Sequence, residues 1–476
     1  MNQFLTPLAD ALREQAKNQY VPFDVPGHKG TLEPLIEYFG KECLLLDKNS
    51  RASIDYLCHP IGVIREAEEL AAEAFGSKDA FFMVGGTTSS VQAMVMSVCA
   101  PGEKIILPRN VHYSVINAVI LAGAVPIYIS PQVHSRIGIS LGMSIDDVCK
   151  AIKEHSDAKA ILVNNPTYYG ICSDIEKIVD IAHRNGMFVL ADEAHGTHFY
   201  FGENFPKAAM KCGADMSSVS MHKTGGSLTQ SSILLSNGKI SRTHIENIIN
   251  LTRSTSASYL LLASLDIARK YLVTQGREVL RKNLSEICKT RAAINEIGGY
   301  YAFGSEIIDG DSIYNYDLSK LSVNTLGVGL AGIEVYTLLR DKYGIQLEFG
   351  DTANILALST VGDRHSDNEK LVEAFADIKK KYGEENTGKF SYEYITPIAI
   401  ISPREAFYSK KILKPITECK DEICGDAVMC YPPGIPILAP GELITQQIVD
   451  HIVYASQKGC SVTGLDENGQ IAIVVK

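Results

Sequence analysis

Lys223 lies in the stretch SMHKTGGSLTQSS (220–232), between a histidine and a run of Thr, Gly and Ser. Surface lysines ordinarily have charged or long polar neighbours; one set among small hydroxyls and glycines faces something anionic and reactive. Two other stretches carry matching chemistry. GGTTSS (85–90) follows an apolar run and opens a helical pattern. Free backbone N–H groups and hydroxyls at such a start suit a phosphate, although a glycine-containing helix start also serves simply as a turn. VLADEAHG (189–196) puts Asp192 directly after apolar residues, where a carboxylate is buried and needs a partner. A helix cap or a salt bridge would satisfy Asp192, as would a protonated ring nitrogen. A phosphate cup, an acid for a pyridinium and a lysine for a Schiff base, in that chain order, are what pyridoxal phosphate needs from a protein.

The same residues admit other readings. DEAH (192–195) is also the signature of a helicase class, but no G-x-x-x-x-G-K-[ST] occurs in the chain. With 45 Lys and Arg against 55 Asp and Glu, the net charge is −10, and no basic run is present. Nucleic acid and anionic membrane are therefore excluded as main partners. The start MNQFLTPLADALREQAKNQY lacks the basic and apolar regions of a signal peptide, and the longest apolar stretch, 117–129, contains Pro126. A soluble, cytoplasmic protein is expected. The 11 cysteines have no paired spacing and read as reduced core residues. Cys419, Cys424 and Cys430 lack the CxxC knuckle, so no metal is expected.

The elements that must position these groups alternate. AFFMVGG (80–86), KIILPRN (104–110), VPIYIS (125–130), AKAILVNN (158–165), MFVLADE (187–193) and ADMSSVS (214–220) read as strands. Between them TTSSVQAMVMSVCA, HYSVINAVILAGA and DIEKIVDIAHRNG have helical spacing, the last with an Asp start and a Gly stop. Such alternation predicts βαβ units, a mostly parallel sheet and ligand binding at the carboxyl ends of its strands. Thr87, His112, Asn165, Asp192 and Lys223 all follow strands. Residues 258–295 read as long helical material, and an α/β pattern resumes from 320. A polar connector at 384–392 precedes short strands and turns around CYPPGIPILAPGELIT.

Taken together, PGHKG (26–30), GVIREAEELAAEAFG (62–76), GGTTSS, PRNVHYSV (108–115), NNPTYYGI (164–171), DEAHGTHF (192–199), SMHKTGGSLTQSS, SPREAF (402–407) and YPPGIPILAPGELIT (431–445) resemble the ornithine/lysine/arginine decarboxylases among the fold type I pyridoxal-phosphate enzymes. The likeness runs over nearly the whole chain and is strongest to the short Gram-positive type without a wing domain. It implies a large α/β domain with a mostly parallel sheet and smaller C-terminal α/β domains. The expected division is an arm at 1–35, a cofactor-binding domain at 36–275, a small domain at 276–383 and a C-terminal domain at 384–476.

The resemblance also implies roles. Lys223 would form the Schiff base, and Asp192 would hold the ring nitrogen protonated. His112 would stack on one ring face, Ala194 would pack beneath the other, and His195 would lie near the phenolic oxygen or the substrate carboxylate. Gly86, Thr87, Thr88 and Ser89 would hold the phosphate, with Ser220 and His222 opposite. Thr255 and Ser256, in RSTSASY (253–259), would reach the phosphate of a neighbouring subunit in a homodimer. The substrate would be a basic amino acid, arginine first, whose cationic end needs acids: Glu348, Asp351, Asp55 and Glu405 are candidates. An aminotransferase is the alternative, with Arg404 as a clamp for the α-carboxylate. The chain departs from the family at IDYLCHPIGVI (54–64), where Ile61 replaces a glutamate, and at Gly225-Gly226, where relatives often read Leu-Pro. Asp24 stands where histidine is common. These departures bear on the choice of substrate, not on the reacting centre.

Overall fold

The structure is a computed structural model and describes all residues except 19, 384–396, 431–433, 458–459 and 476. The connector expected at 384–392 thus lies outside the described residues, as do Pro432, Pro433 and the side chain of Cys430. The chain divides into two compact units, each of two stretches: Met1–Ser97 with Leu190–Arg281, and Val98–Val189 with Lys282–Lys476.

Seven strands carry the α/β pattern: β1 (Asp79–Met83), β2 (Lys104–Pro108), β3 (Val125–Ile129), β4 (Ala160–Asn164), β5 (Phe188–Glu193), β6 (Met216–Val219) and β7 (Ser232–Ser236). In the first unit β5 runs parallel to β6, whereas β7 pairs antiparallel with both β6 and β1. In the second unit β2 lies parallel to both β3 and β4. The sheet is therefore mostly parallel, with β7 as its antiparallel member. Continuous apolar runs such as IILP and AILV are buried throughout, as strands covered on both faces require. Pro126, which costs a ladder donor, sits on β3 at the sheet's edge.

The helices start and stop where side chains and glycines satisfy their ends. Helix Ile175–Arg184 is capped by Asp174, which accepts from the N–H of Lys177 at 3.2 Å. Helix Tyr113–Ala122 ends at Gly123, in the left-handed region at φ 69°. A helix the sequence pattern passed over, Ile145–Glu154, is capped by Ser144, whose Oγ accepts from the N–H of Asp147 at 3.1 Å. The long helical stretch is two helices, Tyr259–Tyr271 and Arg277–Ile297, joined by one π-helical turn.

The α/β pattern after 320 is, in the second unit, an antiparallel sheet. Strands β8 (Tyr301–Ala302), β9 (Lys320–Asn324), β10 (Phe349–Gly350) and β11 (Asn354–Leu358) run in the order β10-β11-β9-β8. Its core joins Leu321, Val323, Val335, Ile355 and Phe375. In the same unit Arg109, just past β2, makes a two-pronged ion pair with Glu442 (2.7 and 2.8 Å), both groups almost fully buried. Arg109 also donates to the carbonyl of Pro436, so the C-terminal segment closes on the end of β2.

The first unit has its own buried pair. Asp266 and Arg269, one helical turn apart and both at 0% exposure, meet at 2.6 Å. Asp266 accepts from the N–H groups of Leu8 and Ala9 at the start of helix Pro7–Lys17. Arg269 donates to the carbonyls of Gln3 and Leu5. The N-terminal residues are thereby held by a charged anchor as well as by buried Leu8 and Leu12. Removing one partner leaves the other charge buried and uncompensated, at a cost of about 3–5 kcal/mol. Arg269→Ala should therefore lower the unfolding free energy by that order, measured by urea denaturation against the parent protein. A change below about 1 kcal/mol would show that the anchor does not hold the fold.

Candidate active site

In the first unit, β6 ends at Val219 and the chain turns through Ser220 into a π-helical turn, Met221–Gly225, that carries Lys223. Gly226 closes the turn at φ 86°, its N–H donating to the carbonyl of Met221. A Cβ at Gly225 would come within 3.0 Å of Thr197 Cγ2 and 3.1 Å of Met221 Sδ. The glycine pair is thus a requirement of this turn: one residue for its positive φ, the other for close packing. Lys223 Nζ lies 3.0 Å from His195 Nε2.

Asp192, at the end of β5, is 7% exposed. Its Oδ1 accepts from the N–H of Ala194 at 3.1 Å. Burial pushes its pKa above the usual carboxylate value; the Ala194 N–H and the charge of Lys223 pull it back. Its neighbour Glu193 points to the opposite sheet face, as strand alternation demands. There it accepts from Ser217 Oγ at 2.6 Å, Ala209 N–H at 2.8 Å and the Tyr200 hydroxyl, fully buried. Of two adjacent acids, one is tied into the core and the other keeps a single backbone donor.

The two segments expected to form the cup meet. Helix Gly86–Val98 opens with Gly86 at φ 72°, whose N–H donates to the carbonyl of Gln230 at 2.8 Å. Thr87 Oγ1 hydrogen-bonds Ser220 Oγ, joining the helix start to the residue before the π-helical turn. Thr197, which the sequence reading did not single out, donates to the carbonyl of Ser220 at 3.0 Å. No spacing signal marked it. Ser89 Oγ turns back to the carbonyl of Gly86, Thr88 is exposed, and His222 Nδ1 meets the carbonyl of Ser231 at 3.0 Å. Thr255 and Ser256 are exposed, and the N–H of Ser256 donates to Ser254 Oγ. The described hydrogen bonds do not tie either of them to the cup. A buried carboxylate short of donors, a lysine beside a histidine, and hydroxyls around a helix start with free N–H groups fit a phosphorylated pyridine aldehyde.

The other residues singled out stand as follows. Asp55, at φ 68° and 4% exposed, spends its carboxylate on four backbone N–H groups: Tyr56, Ile61, Gly62 and Ile64. It ties the IDYLCHPIGVI loop to the start of helix Val63–Phe75. In the second unit, His112 caps helix Tyr113–Ala122, its Nδ1 accepting from the N–H of Ser114 at 3.1 Å, which fixes the ring. Glu348 accepts from the Tyr168 hydroxyl. Asp351 accepts from Tyr169 and from the N–H groups of Ala353 and Asn354, and burial raises its pKa. Both tyrosine rings pack edge-on against Phe349, at 5.2 and 5.4 Å. Arg404 donates to the carbonyls of Ile120 and Leu121, both at 3.0 Å, and so covers the end of helix Tyr113–Ala122. Glu405 sits in the first turn of its own short helix, its N–H bonded to Ser402.

Residues 6–367 match the family model "Orn/Lys/Arg decarboxylase, major domain", and residues 395–470 match "Orn/Lys/Arg decarboxylase, C-terminal domain". The arginine decarboxylase of Bacillus subtilis strain 168 is 42% identical over 475 residues, 98% of this chain and 97% of that protein. That of Bacillus anthracis is 43% identical over 474 residues, 98% and 96% of the two chains. Among solved structures, the Francisella novicida lysine decarboxylase superposes with a TM-score of 0.87 at 20% identity, over 99% of this chain and 81% of that one.

The geometry at Asp55 makes a direct prediction. Asp55→Ala strands four N–H groups and puts a Cβ-bearing residue without a local acceptor at positive φ. Stability should fall by about 1–3 kcal/mol in chemical denaturation. Asp55→Asn, which tolerates this backbone region and keeps one acceptor oxygen, should recover part of the loss. Equal stability of all three proteins would remove the loop-anchoring role.

Proposed function

The chain belongs to the Orn/Lys/Arg decarboxylase family, and from that premise we propose that it removes CO2 from a basic L-amino acid with pyridoxal phosphate, arginine to agmatine first. One observation carries the reading: in a single unit, Lys223 beside His195, buried Asp192 and the Thr87–Ser220 link bring together the three parts the cofactor needs. Arginine is placed ahead of lysine and ornithine because relatives named arginine decarboxylase are 42–43% identical over nearly the whole chain. Lysine decarboxylases are 21–22% identical.

When bound, pyridoxal phosphate supplies an aldehyde for the amine and a ring that draws electrons from the Cα–carboxylate bond. Lys223 would hold the cofactor through its aldehyde; a free amine, with an ordinary pKa near 10.4, is a poor nucleophile. Asp192 holds a proton on the ring nitrogen. His195, 3.0 Å from Lys223, orients the lysine and exchanges protons with it. The helix start at Gly86 to Ser89 and the side chains of Thr87, Ser220 and His222 hold the phosphate. The family resemblance assigns one ring face to His112, whose ring is fixed by its own capping bond, and the other to Ala194, and these would be their roles. Of the acids proposed for the substrate's cationic end, Glu348 has one described donor, against three on Asp351 and four on Asp55. An aminotransferase would need Arg404 for the α-carboxylate, but two helix-end carbonyls already hold it.

The active form is proposed as a homodimer or higher homo-oligomer with a shared site, in the cytoplasm. Thr255 and Ser256 are exposed, and so are Tyr20, Phe23 and Tyr38, at 68, 94 and 82%, apolar area that a second copy would cover. No helix among the described residues is long and apolar enough to cross a membrane. The break between the family matches, at 367 and 395, supports the division proposed at 384; the boundaries at 35 and 275 are proposed from the sequence pattern alone.

With carboxyl-labelled arginine, lysine and ornithine, labelled CO2 should be released fastest from arginine. Lys223→Ala should abolish release and the visible absorption of the bound cofactor. Asp192→Asn should still bind cofactor but lose at least tenfold in kcat, since a charge-assisted hydrogen bond contributes about 1.5–3 kcal/mol. Retention of the label in the product would overturn decarboxylation. Undiminished kcat in Asp192→Asn would remove its ring-nitrogen role.

The shared site is checked separately by mixing two inactive proteins, Lys223→Ala and the Thr255→Ala/Ser256→Ala double variant. Mixed dimers then carry one intact site, so activity should rise above both parents after subunit exchange. Exchange followed by mass tag with no recovery would place these hydroxyls outside the site.

A further inference from the structure

Ser218 is fully buried on β6, and its Oγ has no hydrogen-bond partner among the described residues. A buried hydroxyl without a partner carries a desolvation cost, and such groups in a native fold call for an explanation. Strand register supplies one. Ser218 pairs with Asp192 across the parallel β5–β6 ladder and with Leu234 across the antiparallel β6–β7 ladder. Paired residues on adjacent strands share a face, with strands about 4.8 Å apart. Ser217, the residue before, reaches Glu193 on the other face, which confirms the alternation independently. Along its own strand, Ser218 has Met216 and Ser220 as same-face neighbours, and the Ser220 hydroxyl is engaged by Thr87. Among these four neighbours, Asp192 is the one acceptor still short of donors: its carboxylate takes one described hydrogen bond, at Oδ1.

In the structure the two side chains are not bonded; we propose that with the cofactor in place Ser218 is a positioning residue for Asp192, its hydroxyl turning to donate to the carboxylate that would hold the cofactor's ring nitrogen. The inference rests on the cofactor reading above and deepens it. A donor on the ionised carboxylate favours the anion, against the upward push of burial. The ring proton then stays on nitrogen instead of moving to oxygen. The hydroxyl also fixes the carboxylate plane, so that the remaining oxygen lone pair meets the ring edge. Without the hydroxyl, Asp192 becomes a stronger base, takes more of the shared proton, and leaves the ring a weaker electron sink.

The test uses the full-length protein loaded with pyridoxal phosphate labelled with nitrogen-15 in the ring, read by NMR beside steady-state kinetics. In Ser218→Ala the ring-nitrogen resonance should move from the pyridinium position toward that of neutral pyridine. kcat should fall roughly tenfold, the order of one hydrogen bond to a charged group, with KM within about twofold. Ser218→Thr, which keeps the hydroxyl, should return both. Ser218→Cys, close in size with only a weak donor, makes the same comparison if the alanine protein does not fold. An unmoved resonance in a variant lacking the hydroxyl overturns the positioning role alone. Absence of a bound-cofactor resonance in the parent protein overturns the cofactor reading and this inference with it.

Discussion

A carboxylate buried at the end of a strand is the constraint around which the site is built. Asp192 is almost wholly removed from water, takes one described hydrogen bond, and has its proton affinity raised by burial. Such a group is costly unless a positive charge meets it. Lys223 supplies part of that charge, but its amine is also the group proposed to react. A protonated ring nitrogen satisfies the acid without consuming the lysine. In the proposed reading the ring nitrogen offsets the remaining cost of burying Asp192, which would couple cofactor binding to stability.

The segments around Asp192 show how a sheet turns a local cost into geometry. β5 delivers Asp192 and β6 delivers Ser220 and Lys223, and the parallel ladder between them fixes their spacing along one face. Beyond β6 an ordinary α-helical turn would sweep Lys223 round by a different angle. The π-helical turn, closed by Gly226 and packed through Gly225 on Thr197, sets it beside His195. Such turns are rare and recur at functional sites, and the surrounding structure must hold this one in place. The Thr87–Ser220 link serves that end, because it ties the start of the turn to the start of a helix whose other face is buried in the core.

What was legible in the sequence followed from rules that act locally. Apolar runs bounded by Gly and Asp marked the strands of the main sheet and the helix capped by Asp174. The glycines before Thr87 marked a helix start with unsatisfied N–H groups. Acids were harder, because Asp55, Glu348, Asp351 and Glu405 look alike in a string. The fold separates them by what their oxygens already bind: the Asp55 carboxylate accepts four N–H groups of its own loop and the helix that follows. Arg404 is the cationic counterpart, held by two helix-end carbonyls. The antiparallel sheet of the second unit was hidden because its outer strands are two residues long, too short for any period to register.

The four letters DEAH carry the same lesson at single-residue scale. Alternation along β5 sends Asp192 to one face and Glu193 to the other, where Ser217, Ala209 and Tyr200 absorb it into the core. Ala194 follows as the turn leaves the strand, and its N–H is the donor Asp192 receives. His195 ends beside the lysine. A motif shared in writing with an unrelated class of proteins thus acquires its chemistry from where the strand stops and which face each residue takes. Shifting the register of β5 against β6 by one residue would exchange Asp192 for Glu193 on the site face. It would turn Asp192 into the core and take its charge away from Lys223. The core bonds of Glu193 oppose that slip, so the acid tied into the core fixes the register that sets Asp192 on the opposite face.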